Sequence, residues 1–208
     1  MKALFLTVLS LLFRIWLVLA IIASLLQALL VRSTVVNYRV TVSIQTPEGL
    51  KTGSAVRVAK CVHEERILPQ QGGTSCFVSR GEAVAIDLGT RGIVFSLMEI
   101  GYRGRSGGEA AYIISALKNV REFDVPREDY PKFVIFGDIK DVATVRSLYS
   151  PETKSYSFES LGPGVDVKGF KIETAYRWPD YKILEYLPWL KEREEFIALQ
   201  DGRDTRKL

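Results

Sequence analysis

An α+β chain is predicted, with an N-terminal transmembrane helix followed by a β-rich, mainly antiparallel domain and a few short helices. Three features predict it. Residues 3–31 are apolar at every position except Thr7, Ser10, Arg14, Ser24 and Gln27. Several later segments alternate apolar and polar residues with the period of a half-buried strand. Gly- and Pro-containing turn tetrads separate those segments at hairpin spacing.

The apolar stretch comes first because it sets the solvent for everything else. Ile15 to Val31 carries no charge and is bracketed by Arg14 and Arg32. At 1.5 Å of rise per residue, such a run just spans a hydrocarbon core of about 30 Å. Trp16 sits one position inside, where an indole suits the interface. A second placement starts near Leu4 and puts Arg14 in the bilayer, which costs about 2.5–3.5 kcal/mol unless the side chain snorkels. The first placement is therefore preferred, with residues 3–13 in the interface. The amine, Lys2 and Arg14 lie on one side, and no acid precedes Arg32. This asymmetry places the N-terminus in the cytoplasm and the following domain outside. A cleaved signal peptide competes, but the run exceeds its usual core of about 7–15 residues, and Val31-Arg32-Ser33 is a poor cleavage triplet. The expected organisation is an anchor over 1–32, a β-rich extracytoplasmic domain over 33–200 and a solvated tail over 201–208.

Charge excludes one class of partner. The chain is +4 overall, but Lys2, Arg14 and Arg32 supply three of its 28 basic residues against 24 acids. Beyond the anchor the balance is nearly neutral, and no basic cluster is interleaved with stacking aromatics, so no nucleic-acid partner is expected.

Within the domain, Val35 to Thr46 alternates, with Tyr38, Val40, Val42 and Ile44 on one face. Thr46-Pro47-Glu48-Gly49 is a turn, and Leu50 to Cys61 returns as the second strand of a hairpin. Glu64 to Ser75 reads as an exposed loop. Glu82–Leu88 and Gly92–Glu99 flank Gly89-Thr90-Arg91-Gly92 as a second hairpin, and the four strands together suggest an antiparallel meander. A helix is expected over Gly108–Asn119, with Ser106 and Glu109 at capping-box spacing. There follow a strand at Phe133–Gly137, a helical turn at Asp141–Leu148, a turn at Ser160–Gly164, a strand at Val165–Ala175 and a short helix at Tyr181–Leu187.

Chemistry is sparse. Cys61 and Cys76 bracket a Gly-rich stretch. In an oxidising compartment they would close a loop worth about 3 kcal/mol in the chain-entropy model; the alternative is two unrelated buried thiols. His63 is the only histidine, so a Ser-His-Asp or Cys-His system would have to use it, yet no nucleophile motif accompanies it. With no C-x-x-C and no second histidine, no metal site or cofactor is expected. The glycine-rich loop before the helix, with Arg103, Arg105 and Ser106, is a candidate anion-binding site, although it lacks the Gly-Lys-Ser/Thr of a P-loop. Asp138, Asp141, Glu159 and Glu173 are candidate paired carboxylates, more economically read as turn and surface residues. The aromatics Tyr176, Trp178, Tyr181, Tyr186 and Trp189 form either a partner- or sugar-binding face or a docking face for the C-terminal segment. No catalytic residue is assigned.

The segments DIKDVATVRSLYSP (138–151), LGPGVDVKGFKIETA (161–175) and ILEYLPWL (183–190) resemble a recurring pattern in uncharacterised proteobacterial proteins, as do TPEGLKTGSAVRV (46–58) and GEAVAIDLGTRG (81–92). Val142 and Ala143 stand where that pattern is more polar. The resemblance implies a bacterial membrane-anchored family with no assigned activity, and it brings no catalytic residue. The expectation is a single-pass inner-membrane protein with a periplasmic domain. That domain would bind or scaffold an envelope protein partner. The alternative is a periplasmic-face hydrolase using His63 and nearby acids. A third reading turns the domain to the cytoplasm and leaves both thiols reduced.

Overall fold

Alternation in the sequence becomes two larger antiparallel sheets and a separate two-stranded one. The computed structural model describes residues 12–22, 24, 31–64, 73–98, 100, 108–150, 155–179 and 181–191. The chain divides into two units, one formed by residues 1–34 with 61–75, the other by residues 35–60 with 76–208.

In the first unit, residues 12–22 are helical (α1) and Ser24 is also helical, its hydroxyl donating to the Ala20 carbonyl at 2.9 Å. Nine large apolar side chains of α1 are exposed, from 43% for Leu17 to 65% for Trp16. Among the described residues no helix is long and apolar enough to cross a membrane. Of the expected span, residues 23 and 25–30 lie outside the described residues. Val31 is not helical: it opens strand β1 (Val31–Thr46), four positions before the expected start.

The larger unit is β-rich and antiparallel, an α+β arrangement with short helices. β1 turns at Pro47 and Glu48 into β2 (Gly49–Glu64). Gly49 sits at φ +125°, a conformation that disfavours a Cβ, and Thr46 Oγ1 donates to its carbonyl at 2.9 Å. Tyr38, Val40, Val42 and Ile44 are all fully buried, as the alternation requires. Full burial of the three aliphatic side chains contributes about 1.5–3 kcal/mol each.

The expected exposed loop is shorter than read. β2 continues to Glu64 and β3 (Gly73–Arg80) begins before Ser75, which leaves 65–72 outside the described residues. β3 is an extra strand, and it breaks the expected meander. The first hairpin joins a five-stranded sheet of order β3-β2-β1-β11-β6. The second, β4 (Val84–Asp87) and β5 (Ile93–Ser96), joins a four-stranded sheet of order β4-β5-β7-β8. The remaining partners are β6 (Glu122–Asp124), β7 (Phe133–Phe136), β8 (Val145–Ser147) and β11 (Asp166–Thr174), while β9 (Tyr149–Ser150) and β10 (Ser155–Tyr156) pair with each other.

The helical turn expected over Asp141–Leu148 is only a 3-10 turn at Val142–Thr144. Asp141 Oδ1 accepts from the Ala143 amide at 2.9 Å, and Val145 then enters β8. In β11 the register against β1 shifts between Ser43 and Ile44, so burial passes from Val167 to Phe170 and Ile172. Lys168-Gly169 absorbs the extra residue of a bulge.

The core lies between the two sheets and against α2 (Gly108–Leu117), joining Val40, Phe170 and Ile172 to Ile86, Val94, Phe133 and Ile113. The sheets approach closely at Gly53, where a Cβ would lie 2.2 Å from the Ala85 carbonyl oxygen. On the other face of the smaller sheet, Phe95 meets Tyr186 of α3 (Ile183–Tyr186), and Phe136 meets Trp189, each ring edge to face.

Candidate functional site

The most polar place in the interior is built on one residue of the β2 run Ala55–Ala59. Arg57 is fully buried there, flanked by Val56 and Val58. A buried guanidinium requires a counter-charge and acceptors for its donors. Glu109, the second residue of α2, supplies the charge: Arg57 Nη1 lies 2.9 Å from its Oε1. Arg57 Nε donates to the Glu82 carbonyl at 2.9 Å. The Tyr38 hydroxyl donates to the same Glu109 Oε1, and the Ile100 amide donates to Oε2 at 3.2 Å. Gly81, at φ +138°, packs on the arginine stem, and a Cβ there would lie 2.6 Å from Arg57 Cγ. Arg57 Nη2 is buried with no hydrogen-bond partner among the described residues.

Burial, then the Glu109 carboxylate, push the Tyr38 phenol well above its ordinary range, so it remains a neutral donor. Both Glu109 oxygens are engaged and buried. The group is a tie between β1, β2, α2 and the chain at Ile100, and it offers no solvent-facing acid or base. Next to it, the Glu82 carboxylate accepts from the Lys182 and Ile183 amides at 3.0 and 2.8 Å, which caps the start of α3.

The expected site residues fall as follows. Cys61 and Cys76 are joined in a disulfide. Arg103, Arg105 and Ser106 lie outside the described residues. Glu109, read as half of a capping box with Ser106, instead spends both oxygens on Tyr38, Arg57 and Ile100. His63 is exposed, its Nδ1 2.8 Å from Thr74 Oγ1.

The four candidate carboxylates fall in three separate local structures. Asp138 accepts from the Lys140 amide and Asp141 from the Ala143 amide within one turn, Glu173 pairs with Arg39 at 2.6 Å, and Glu159 is exposed in a 3-10 turn. Among the described residues no cluster of His, Cys, Asp and Glu could hold a metal ion.

The aromatic group divides. Tyr186 and Trp189 pack inward, with Trp189 Nε1 donating to the Ile139 carbonyl at 2.9 Å. Tyr176, Trp178 and Tyr181 stay exposed, at 87%, 66% and 50%.

At the other end of the β1–β2 hairpin, Arg91 holds Glu48 through two contacts, at 2.7 and 3.2 Å, and donates to the Leu161 carbonyl at 2.8 Å. The guanidinium draws the exposed Glu48 carboxyl down to about 2.

The Tyr38–Arg57–Glu109 tie was missed by the sequence reading. One signal was there: a lone arginine inside the apolar run Ala55–Ala59 demands a buried partner. No family model, curated protein or solved structure matches the chain.

Proposed function

We propose that this chain is a single-pass membrane-anchored protein whose β-rich domain lies outside the cytoplasm and binds or scaffolds a partner in the bacterial envelope, without catalysis of its own. The exposed α1 carries this reading. Residues 12–22 are apolar at every position but Arg14; such a helix belongs in a protein core or in lipid, and its large apolar side chains stand open. The disulfide adds support, because disulfides persist in oxidising compartments.

The hydrolase alternative would have to use His63, which is exposed with its Nδ1 2.8 Å from Thr74 Oγ1, and a disulfide-bonded Cys61 supplies it no thiolate. The bacterial setting rests on the resemblance of segments 138–151, 161–175 and 183–190 to uncharacterised proteobacterial proteins.

The test has two arms. Alkaline carbonate extraction of membranes should leave the full-length chain in the pellet; release into the supernatant overturns the anchor. Maleimide labelling of denatured cells should reach Cys61 and Cys76 only after reduction; free labelling of both overturns the exported topology.

A further inference from the structure

β11 runs antiparallel to β1, with Thr174 opposite Tyr38, so β11 leaves the sheet at the end where β1 enters the larger unit. The chain then keeps to that end. The Ala175 amide donates to the Asn37 carbonyl at 2.9 Å, and Asn37 Nδ2 donates to the Arg177 carbonyl at 3.4 Å. The tether to the membrane enters at Val35, two residues before Asn37, and Val35 is itself exposed.

The segment fixed there reads Tyr176-Arg177-Trp178-Pro179-Asp180-Tyr181-Lys182. Its three aromatic rings point outward, although Tyr186 and Trp189, a few residues on, are packed inside. The Arg80 guanidinium lies 5.3 Å from the Trp178 ring centroid, and Arg177 and Lys182 flank Trp178 and Tyr181 in sequence. Exposed Trp and Tyr with basic neighbours match the headgroup layer of a bilayer: the rings are amphipathic and the cations complement lipid phosphates.

We infer that Tyr176, Trp178 and Tyr181, with Arg80, form a surface that lies on anionic lipid headgroups. The inference rests on the anchored reading and extends it by giving the domain a second membrane contact.

The test uses the full chain in vesicles of phosphatidylcholine with phosphatidylglycerol, and in vesicles of phosphatidylcholine alone. The chain has three tryptophans, so subtracting the emission of the Trp178→Phe protein from that of the wild type isolates Trp178. Trp178 is exposed, and its replacement leaves the core intact. In anionic vesicles the Trp178 signal should be quenched by lipid brominated close to the headgroup and shielded from aqueous acrylamide. Arg80→Gln should lower that lipid contact about five-fold, the factor expected for one basic residue at an anionic surface.

If the protein floats with the vesicles but Trp178 stays open to acrylamide and untouched by brominated lipid, the surface contact is refuted and the anchor stands. If the protein does not float, the anchored reading itself has failed, and this contact with it. If Trp178 is shielded from acrylamide yet out of reach of brominated lipid, a protein covers it, and the lipid assignment is wrong.

Discussion

Replacing Glu109 by alanine removes the carboxylate that Arg57, Tyr38 and the Ile100 amide all address. The change strands the Nη1 donor, the phenol and a backbone N–H in a site where Arg57 Nη2 already has no partner among the described residues. Breaking one side of a buried ion pair costs about 3–5 kcal/mol, and each orphaned donor costs about 1–3 kcal/mol when counted alone. These contributions describe one event and do not add, so the expected loss is about 3–5 kcal/mol. That is a large part of the roughly 5–15 kcal/mol that holds a domain folded. For a domain of this size it corresponds to a fall in Tm of about 6–20 °C.

The assay is urea unfolding of the oxidised chain in detergent, followed by near-ultraviolet circular dichroism. Removing both charges is different: Arg57→Met with Glu109→Leu leaves no uncompensated ion, and the double variant should recover to within about 2 kcal/mol of wild type. Tyr38→Phe gives a pH signature. Tyr38 has a folded pKa above its unfolded value, so its contribution is complete below the unfolded pKa near 10 and is lost as pH rises beyond it. The phenylalanine variant should lose stability less steeply above pH 10, with the elevated Tyr130 and Lys171 leaving a residual slope. A Glu109→Ala cost below about 1 kcal/mol, or a double variant as unstable as the two single changes summed, would refute the reasoning.

Gly53→Ala should destabilise by about 1–3 kcal/mol in the same unfolding assay, because its Cβ would meet the Ala85 carbonyl of the facing sheet and neither backbone can yield freely. Ser96→Ala should be neutral or slightly stabilising, since its buried hydroxyl has no partner among the described residues; a clear loss of stability would reveal an acceptor. Glu48 carries a folded pKa of about 2 against an ordinary 4.5, so its contribution is present above 4.5 and disappears as pH falls towards 2. Glu48→Gln should flatten that part of the acid unfolding profile, and an unchanged profile would show that the Arg91 contact adds nothing. Reduction of the Cys61–Cys76 bond releases a loop worth about 3 kcal/mol in the chain-entropy model, and the unfolding midpoint should fall accordingly in reductant.

Local periodicity and turn chemistry carried the sequence reading as far as the hairpins. Tyr38, Val40, Val42 and Ile44 share one buried face because alternation over a single strand needs no knowledge of what packs against it. Gly89 and Gly92 mark the second turn because both adopt positive φ. What alternation does not carry is which sheet a hairpin joins. Nothing local separates β4 and β5 from a continued meander; the separation comes from β3, whose residues Gly73–Ser75 read as part of a Gly-rich loop, and from β11, which pairs with β1 across more than a hundred residues. Glu109 shows the same limit in one side chain. Its spacing from Ser106 offers a complete local explanation, and its two side-chain partners are 71 and 52 positions away.

The aromatics after β11 make the sharpest case, because residue type is nearly constant and position decides the outcome. Tyr186 and Trp189 follow the Glu82-capped start of α3, which turns the chain back over the smaller sheet and delivers their rings to Phe95 and Phe136. Tyr176 and Trp178 precede that cap, where the backbone is held to Asn37 within β1 and their rings are left outside. A docking face and an outward face therefore coexist within fourteen residues, divided by one carboxylate from another part of the chain. Removing that carboxylate with Glu82→Ala should loosen the inner pair without disturbing the outer three: Trp189 should become accessible to acrylamide while Trp178 does not change. Equal changes at both tryptophans would mean that the segment moves as one body and that Glu82 does not divide it.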